Sequence, residues 1–491
     1  MSQSQPSMAL FAREELQHLH ETSLQILEDP GMRIQSRRLR GALGQAGAEV
    51  DEPHQVVRFP ARLVEDTLAG MRSQVLGGTP QLVLNGVVAS RSPRGMGVKF
   101  GGACIEVLDW QVQGVRAPTR SDLARLVQLG EALPEVVTVG NPVMYLREDD
   151  GCSVDPRLQR VKTAALIAQF TTKAGSTEVW NAAELKYLME LGEIVRGSRE
   201  AYLANPCFIT AKETIAPLIL DEAAGDVLLL LAENHLPCTI IPMPITGGSS
   251  PLTLASNIAL GNAEILGTFC ALRAACPSAN CVGGIISGVL DMRFGAAVFG
   301  APEAVLQDIG LAQIQETLYG FDFGIGGYTD AKLPGEQIAI EAMGRFLFLA
   351  QTGRFNVPVG LLNGGKRFSG EQALVEIEIE RWIVESGKGI EVTADTLCLE
   401  QIRRVGIGGH SMQEEHTIQN MRKNIWYPQL MDRSLGGEID RDRASDMLET
   451  AARKVREVSS RANLYEADTT QKRAIEQILR AAEQELTAGA E

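Results

Sequence analysis

Phe100, Tyr145, Trp180, Tyr328 and Phe368 each stand at or just past the end of a short apolar run, and Glu178, Glu213 and Asp330 occupy the same kind of position. Aromatic faces ringed by carboxylates suit a quaternary ammonium group, each ring contributing about 0.5–2 kcal/mol once the cation is desolvated. Arg293 and Arg367 are then able to hold a carboxylate of the same ligand by a forked pair. Taken singly, Tyr145 and Trp180 read first as core fillers; only the combination points to a ligand.

Other chemistries fit less well. Lys332 and Lys366 have the type needed for an imine, but Lys332 beside Asp330 reads more simply as half of an ion pair. The run Thr246-Gly247-Gly248-Ser249-Ser250 invites a phosphate loop, yet neither a Walker lysine nor G-x-G-x-x-G accompanies it. His410 and His416 are six positions apart, off the i, i+4 spacing of a helical zinc pair. Cys270, Cys276 and Cys281 straddle a helix end and a strand start, so a thiolate zinc site is the lesser reading and no resident metal is expected.

The elements that must position these residues show in the apolar pattern. Eight short segments (98–103, 136–144, 174–180, 207–211, 238–243, 280–286, 321–327 and 357–362) recur at roughly 30- to 40-residue intervals, each before a helix-like stretch. That is the linear signature of an α/β fold, a (β/α)8 TIM barrel over 96–390, with its chemistry in the loops after the strands. Most runs lack strict alternation, as parallel strands buried on both faces do.

Residues 1–95 read as an N-terminal helical region. A helix carrying Leu16, Leu19, Ile26 and Leu27 ends at Pro30-Gly31, a second spans 36–46, a strand covers 56–59, and a third helix opens at Pro60. Asn85-Gly86 between 81–84 and 87–90 is a hairpin signal. Residues 391–491 hold a Gly-rich loop with two histidines and amphipathic helices near 441–460 and 470–487, expected to dock on the barrel or a second subunit, which makes a homo-oligomer the expectation.

Composition narrows the class. The chain has 491 residues, a formal charge of −15, 45% hydrophobic residues and 49 glycines. That charge argues against nucleic acid or an anionic membrane as partner. Eight cysteines without a C-x-x-C pair point to reduced thiols, and a polar 1–6 shows no leader, so a cytoplasmic enzyme is expected.

Motifs in order along the chain add a resemblance. They are residues 14–27 with Gly31-Met32-Arg33-Ile34, Ala46-Gly47-Ala48-Glu49-Val50-Asp51 and Val57-Arg58-Phe59-Pro60, then 247–254 with Asn262-Ala263-Glu264-Ile265-Leu266. Residues 290–295 with Ala301-Pro302-Glu303, 329–332 with Glu336-Gln337, Gly408-Gly409-His410, His416-Thr417 and Trp426-Tyr427-Pro428 complete the set. In these the chain resembles the trimethylamine methyltransferase family of corrinoid-dependent methyltransferases. The resemblance implies a (β/α)8 barrel that moves a methyl group from a methylated amine to the cobalt of cob(I)alamin on a separate corrinoid protein. Founding members carry pyrrolysine near the end of strand 7; the matching segment here, around 328–337, has only standard residues. That implies a non-pyrrolysine member acting on a quaternary amine, glycine betaine foremost, which leaves as dimethylglycine.

On this reading Glu213, Asp330 and Lys332 are the candidate catalytic residues. Phe100, Tyr145, Trp180, Arg293, Tyr328, Gln337, Phe368 and His410 are candidates to bind the substrate, and His416, Gly247 and Gly248 face the corrinoid. Aromatic faces are expected nearest the nitrogen, with Glu213 and Asp330 further out. Carnitine, proline betaine or another methylated amine as donor, a zinc-dependent corrinoid methyltransferase, and a non-catalytic betaine- or corrinoid-binding scaffold are the alternatives.

Overall fold

The computed structural model describes residues 9–76, 97–109, 114–352, 356–433, 446–461 and 464–488. The hairpin expected at 81–90 lies outside the described residues. Each of the eight apolar segments contributes a strand: β1 (Gly97–Phe100), β2 (Val136–Val139), β3 (Gly175–Ser176), β4 (Phe208–Ile209), β5 (Pro237–Ile240), β6 (Asn280–Ile285), β7 (Phe323–Ile325) and β8 (Asn356–Pro358). A two-residue strand, Ala211–Lys212, extends β4.

These strands are parallel and follow chain order. β8 pairs with β1 and β1 with β2; β3 pairs with β4, and Ala211–Lys212 with β5; β5 pairs with β6, and β6 with β7. Backbone bonds from Val139 N to Ala174 O and from Asn141 N to Ser176 O join β2 to β3. Between β7 and β8 no ladder forms among the described residues. The segments that follow them are joined instead, by Asn363 N to Ala331 O, Gly364 N to Thr329 O, and the Thr329 hydroxyl to Leu361 O at 2.6 Å.

A helix follows every strand: Arg120–Ala132, Gln159–Phe170, Ala182–Arg196, Glu222–Glu233, Leu254–Ala275, Pro302–Ile314, Glu336–Gln351 and Gly370–Ser386. Their starts are written locally, since Thr119, Asn181, Asp221 and Ser369 each accept a first-turn amide and Pro302 opens its helix at N1. Leu254–Ala275 has the length and hydropathy of a membrane span, but 83% of its apolar 18-residue window is buried in this protein, as a central core helix should be.

The N-terminal region adds helices Arg13–Glu28, Arg37–Gln45 and Ala61–Leu76 around a small sheet. In that sheet Met32–Ile34 pairs antiparallel with Val56–Arg58 and parallel with Ile219–Leu220, from the loop after β4. A buried polar network seals the same contact. Asn262 donates to Ser23 Oγ (3.0 Å) and the Tyr319 hydroxyl (2.9 Å) and accepts from Gln315 Nε2 (2.9 Å). The His20 ring sits between Tyr319 (2.7 Å) and Glu65 (2.8 Å).

At the other end, helix Met447–Ser459 packs on Arg120–Ala132 and Gly370–Ser386, and Thr469–Thr487 packs on Gln159–Phe170 and Ala182–Arg196. Ahead of both, no side chain from 385 to 429 is buried, although short helices run over Ala394–Leu397, Leu399–Val405 and Glu415–Asn424.

Replacing Asn262 by Ala orphans several buried partners at once, so stability should fall by about 2 kcal/mol or more. Urea denaturation measures this, and an unchanged midpoint would remove the network from the account of how the N-terminal region docks.

Candidate active site

The side chains that converge lie at the C-terminal ends of β3, β4 and β7. Lys212 Nζ meets Glu178 Oε2 at 3.3 Å, and this pair is largely shielded from water. Glu213 follows Lys212 and has no such partner. Its side chain stays open to solvent, yet protein surrounds it closely enough that desolvation, reinforced by Glu178, raises its pKa to about 7. Tyr328 is close to both carboxylates: burial first, then the charges near Cys104, Glu213 and Glu178, keep its phenol protonated well above the usual range. Phe299 meets the Tyr328 ring edge to face at 5.5 Å, and Ile241, Ile286 and Met243 pack around the two rings.

Asp330 and Arg345 hold this arrangement. Asp330 accepts the amides of Phe299 (3.0 Å) and Gly300 (2.7 Å), while its own amide bonds Glu341 at 2.8 Å. Arg345 donates to Phe299 O (2.6 Å) and Gly326 O (3.2 Å) and lies 3.4 Å from Asp308, which accepts the Ser287 amide. Burial pushes Asp308 up to about 7 despite that arginine. The carboxylate read as catalytic at 330 therefore positions Phe299, and both its oxygens are occupied.

Several other expected site residues point elsewhere. Phe100 and Phe368 are buried against each other at 5.4 Å, and a Cβ on Gly130 of the following helix would come within 3.0 Å of the Phe100 ring. They therefore pack on the outer face of the strands and do not line the mouth. Trp180 already carries a resident cation, with Arg160 4.2 Å from its ring centre. Arg293 is 80% exposed and forked onto Asp291, and Arg367 is held by Glu106 (2.9 Å) and Lys332 O (2.6 Å), so neither is free for a ligand carboxylate. Lys332 is exposed, makes no pair with Asp330, and contributes its carbonyl; Gln337, also exposed, bonds Glu341 at 2.6 Å.

Gly247 and Gly248 belong to a tight turn whose amides are consumed internally. Ile245 O alone takes the amides of Gly248, Ser249 and Ser250, which leaves no anion cradle. His410 is exposed on the segment without buried side chains, and His416 there bonds Cys398 Sγ at 3.2 Å. Cys270 and Cys281 are buried with thiols pushed to about 12, unsuited to thiolate ligation.

Phe299, Arg345 and Lys99 are not among the sequence candidates, and of the three only Lys99 stands out in the sequence. Lys99 lies in β1 between two neighbours that face the helices, so strand alternation turns it inward. Thr138 of β2 and Pro358 of β8 flank it. A lone lysine inside an apolar strand was the signal. Outside the mouth, clefts of about 250 Å3 (Asp109, Arg125, Arg456) and about 380 Å3 (Pro134, Arg381, Lys454) lie among the outer helices and contain none of these groups.

The loops after β1 to β7 also carry exposed apolar side chains around the mouth: Ile105, Tyr145, Trp180, Ile215, Leu252, Met292, Phe294 and Leu333.

Two rings and one titrating carboxylate thus come together at parallel-strand ends. Residues 1–486 match the family model described as trimethylamine methyltransferase (MTTB), and the chain belongs to that family. It is 27% identical over 431 residues to trimethylamine methyltransferase MttB of Desulfitobacterium hafniense, covering 87% of this chain and 84% of that one. It is 24% identical over 440 residues to a glycine betaine methyltransferase from the same species, covering 88% and 89%. The crystal structure of the Methanosarcina barkeri monomethylamine methyltransferase MtmB aligns over 97% of this chain and 93% of its own, at 14% identity and a TM-score of 0.43.

Tetramethylammonium should bind more tightly as pH rises through about 7, where Glu213 gains its charge. In Glu213→Gln the affinity should be lower and flat with pH. Calorimetric titration from pH 5.5 to 8.5 reads both, and an identical pH slope in the variant would assign the cation site to another group.

Proposed function

We propose that this protein transfers a methyl group from a quaternary amine, glycine betaine foremost, to the Co(I) of a corrinoid carried by a separate protein. The observation that carries this is the Phe299–Tyr328 ring pair with Glu213 beside it, at strand ends, in a chain of this family. On the same reading the eight strands close as a (β/α)8 barrel of about 97–386, with the N-terminal region and the C-terminal helices docked outside it, and the reaction takes place at the mouth.

The chemistry asks little of acids or bases. The N–CH3 bond breaks, its electron pair stays on nitrogen, and the amine leaves neutral, so no proton has to be delivered. The corrinoid supplies the nucleophilic cobalt. This chain's residues orient the cation, exclude water and fix one methyl toward the opening, effects worth about 7–11 kcal/mol when reactants are held in line. Charge on nitrogen disappears during attack, so strong carboxylate stabilisation of the bound cation would slow the step. The ion pair of Glu178 with Lys212 fits that demand, because it leaves Glu213 beside the rings while Asp330 spends its oxygens on backbone amides.

The corrinoid protein docks on the apolar rim. Anaerobic incubation with glycine betaine and reduced cob(I)alamin should methylate the cobalt and yield dimethylglycine. Met292→Asp with Phe294→Asp should slow transfer to the protein-bound corrinoid by about tenfold or more while sparing free cob(I)alamin. Silence with every methylated amine in the presence of a competent corrinoid protein would end this reading.

The segment 387–428 is the surface of a homo-oligomer. Eleven large apolar side chains from Ile390 to Tyr427 are exposed on it, and ordering a residue costs about 1–2 kcal/mol of backbone entropy that contacts must offset. A second copy, permanently present, meets that need. Sedimentation should show an oligomer that dissociates in Ile402→Glu with Ile407→Glu; a wild-type monomer would refute it.

A further inference from the structure

Inside the strand ends the charges divide unevenly. Glu178 and Lys212 pair with each other, while among the described residues Glu213 and Lys99 make no ion pair, although Lys212 exerts a weaker pull on Glu213. Among the described residues the Lys99 ammonium makes no hydrogen bond or ion pair, and burial is the sole influence on it, bringing it down to about 8. A cation so placed is costly unless something supplies the counter-charge.

We propose that Lys99 holds the carboxylate of the methyl donor, so that the site is built for zwitterionic quaternary amines and discriminates against alcohols and simple methylamines. This rests on the methyl-transfer reading above and adds its specificity. The direction of transfer supports it: the reacting methyl must face outward to reach a partner protein, so the opposite end of the donor points down among the strands. Lys99 lies within β1 itself, whereas Tyr328 and Glu213 lie beyond the ends of β7 and β4. A ligand with ammonium outward and carboxylate inward therefore meets Glu213 and the rings at one end and Lys99 at the other. The two arginines first assigned to the carboxylate are bound to Asp291 and Glu106.

The groups around Lys99 keep its titration separable. Thr138 and Pro358 flank it without charge. Tyr328 and the Cys104 thiol stay protonated, and Glu178 and Lys212 are paired. Glu213 titrates near 7 and acts on the ammonium end of any quaternary ligand alike.

The test is calorimetric binding of glycine betaine and of choline, which has the same trimethylammonium but a hydroxyl in place of the carboxylate. Wild type should bind glycine betaine more tightly. Lys99→Met should weaken it about tenfold to a hundredfold and leave choline unchanged, and Lys99→Arg should restore much of the loss. A readout that needs no variant is pH: a bound carboxylate favours the charged lysine, so glycine betaine should weaken about tenfold per pH unit above about 8, with no such fall for choline. If both ligands bind alike, respond alike to Lys99→Met, and methylate cobalt alike, the role of Lys99 is refuted while methyl transfer stands. If neither ligand binds and cobalt stays unmethylated, both readings fall together.

Discussion

The buried guanidinium of Arg345 is the constraint on which the mouth depends. It spans Phe299 O, Gly326 O and Asp308, tying the loop after β6 to the end of β7 from the third turn of the helix that follows β7. The fit is close enough that a Cβ at Gly327, where φ is +140, would fall 1.8 Å from the guanidinium, so glycine is required there. Burying a charged pair costs desolvation that mutual attraction alone does not repay, and additional hydrogen bonds must make up the difference. Here two carbonyls and the Ser287 amide do so, and the result is a fixed edge-to-face pair, Phe299 on Tyr328, where flexible loops would otherwise meet.

That rigidity matters because cation recognition by rings depends on geometry, and a ring that swings away loses most of its attraction. Asp330 completes the clamp from the other side by spending both carboxylate oxygens on backbone amides. The mouth thus keeps its negative charges out of the way: one in a turn, one in an ion pair, and one that gains its charge only near neutrality. On the proposed reading, in which a bound cation loses its charge during transfer, such restraint favours the step.

The eight strands and their helices were legible because apolar runs between capped helices need only local information. The short strands Met32–Ile34 and Glu49–Asp51 were not, since each is three residues long and the first takes its parallel partner from Ile219–Leu220, far along the chain. In the candidate site, Glu213 and Tyr328 are legible as candidates by their place after strands. Phe100 and Phe368 were misread for the same reason, because nearness to a strand end says nothing about which face a side chain takes. Phe299 ends a short antiparallel excursion after β6 and Arg345 sits within a helix, so neither carries a local mark of its role. Lys99 did carry one: a charge in a run otherwise buried on both faces conflicts with its surroundings, and such conflicts gather at functional sites.

Two apolar surfaces remain, and their construction separates their uses. Rim residues such as Ile215, Leu252 and Phe294 sit on loops that are anchored without any partner, as when Glu264 accepts the Leu218 amide at 2.8 Å beneath Ile215. A surface that holds its shape alone can be met and left at every turnover, since little ordering has to be repeated. The 387–428 segment is tied mainly to itself, by Arg404 on Glu414 and His416 on Cys398, and its helices bury no side chain, so their order gains from whatever covers them. On the proposed reading a visiting corrinoid protein would leave that segment bare between turnovers, whereas an identical chain stays, which favours a permanent contact on the C-terminal segment and a transient one on the rim.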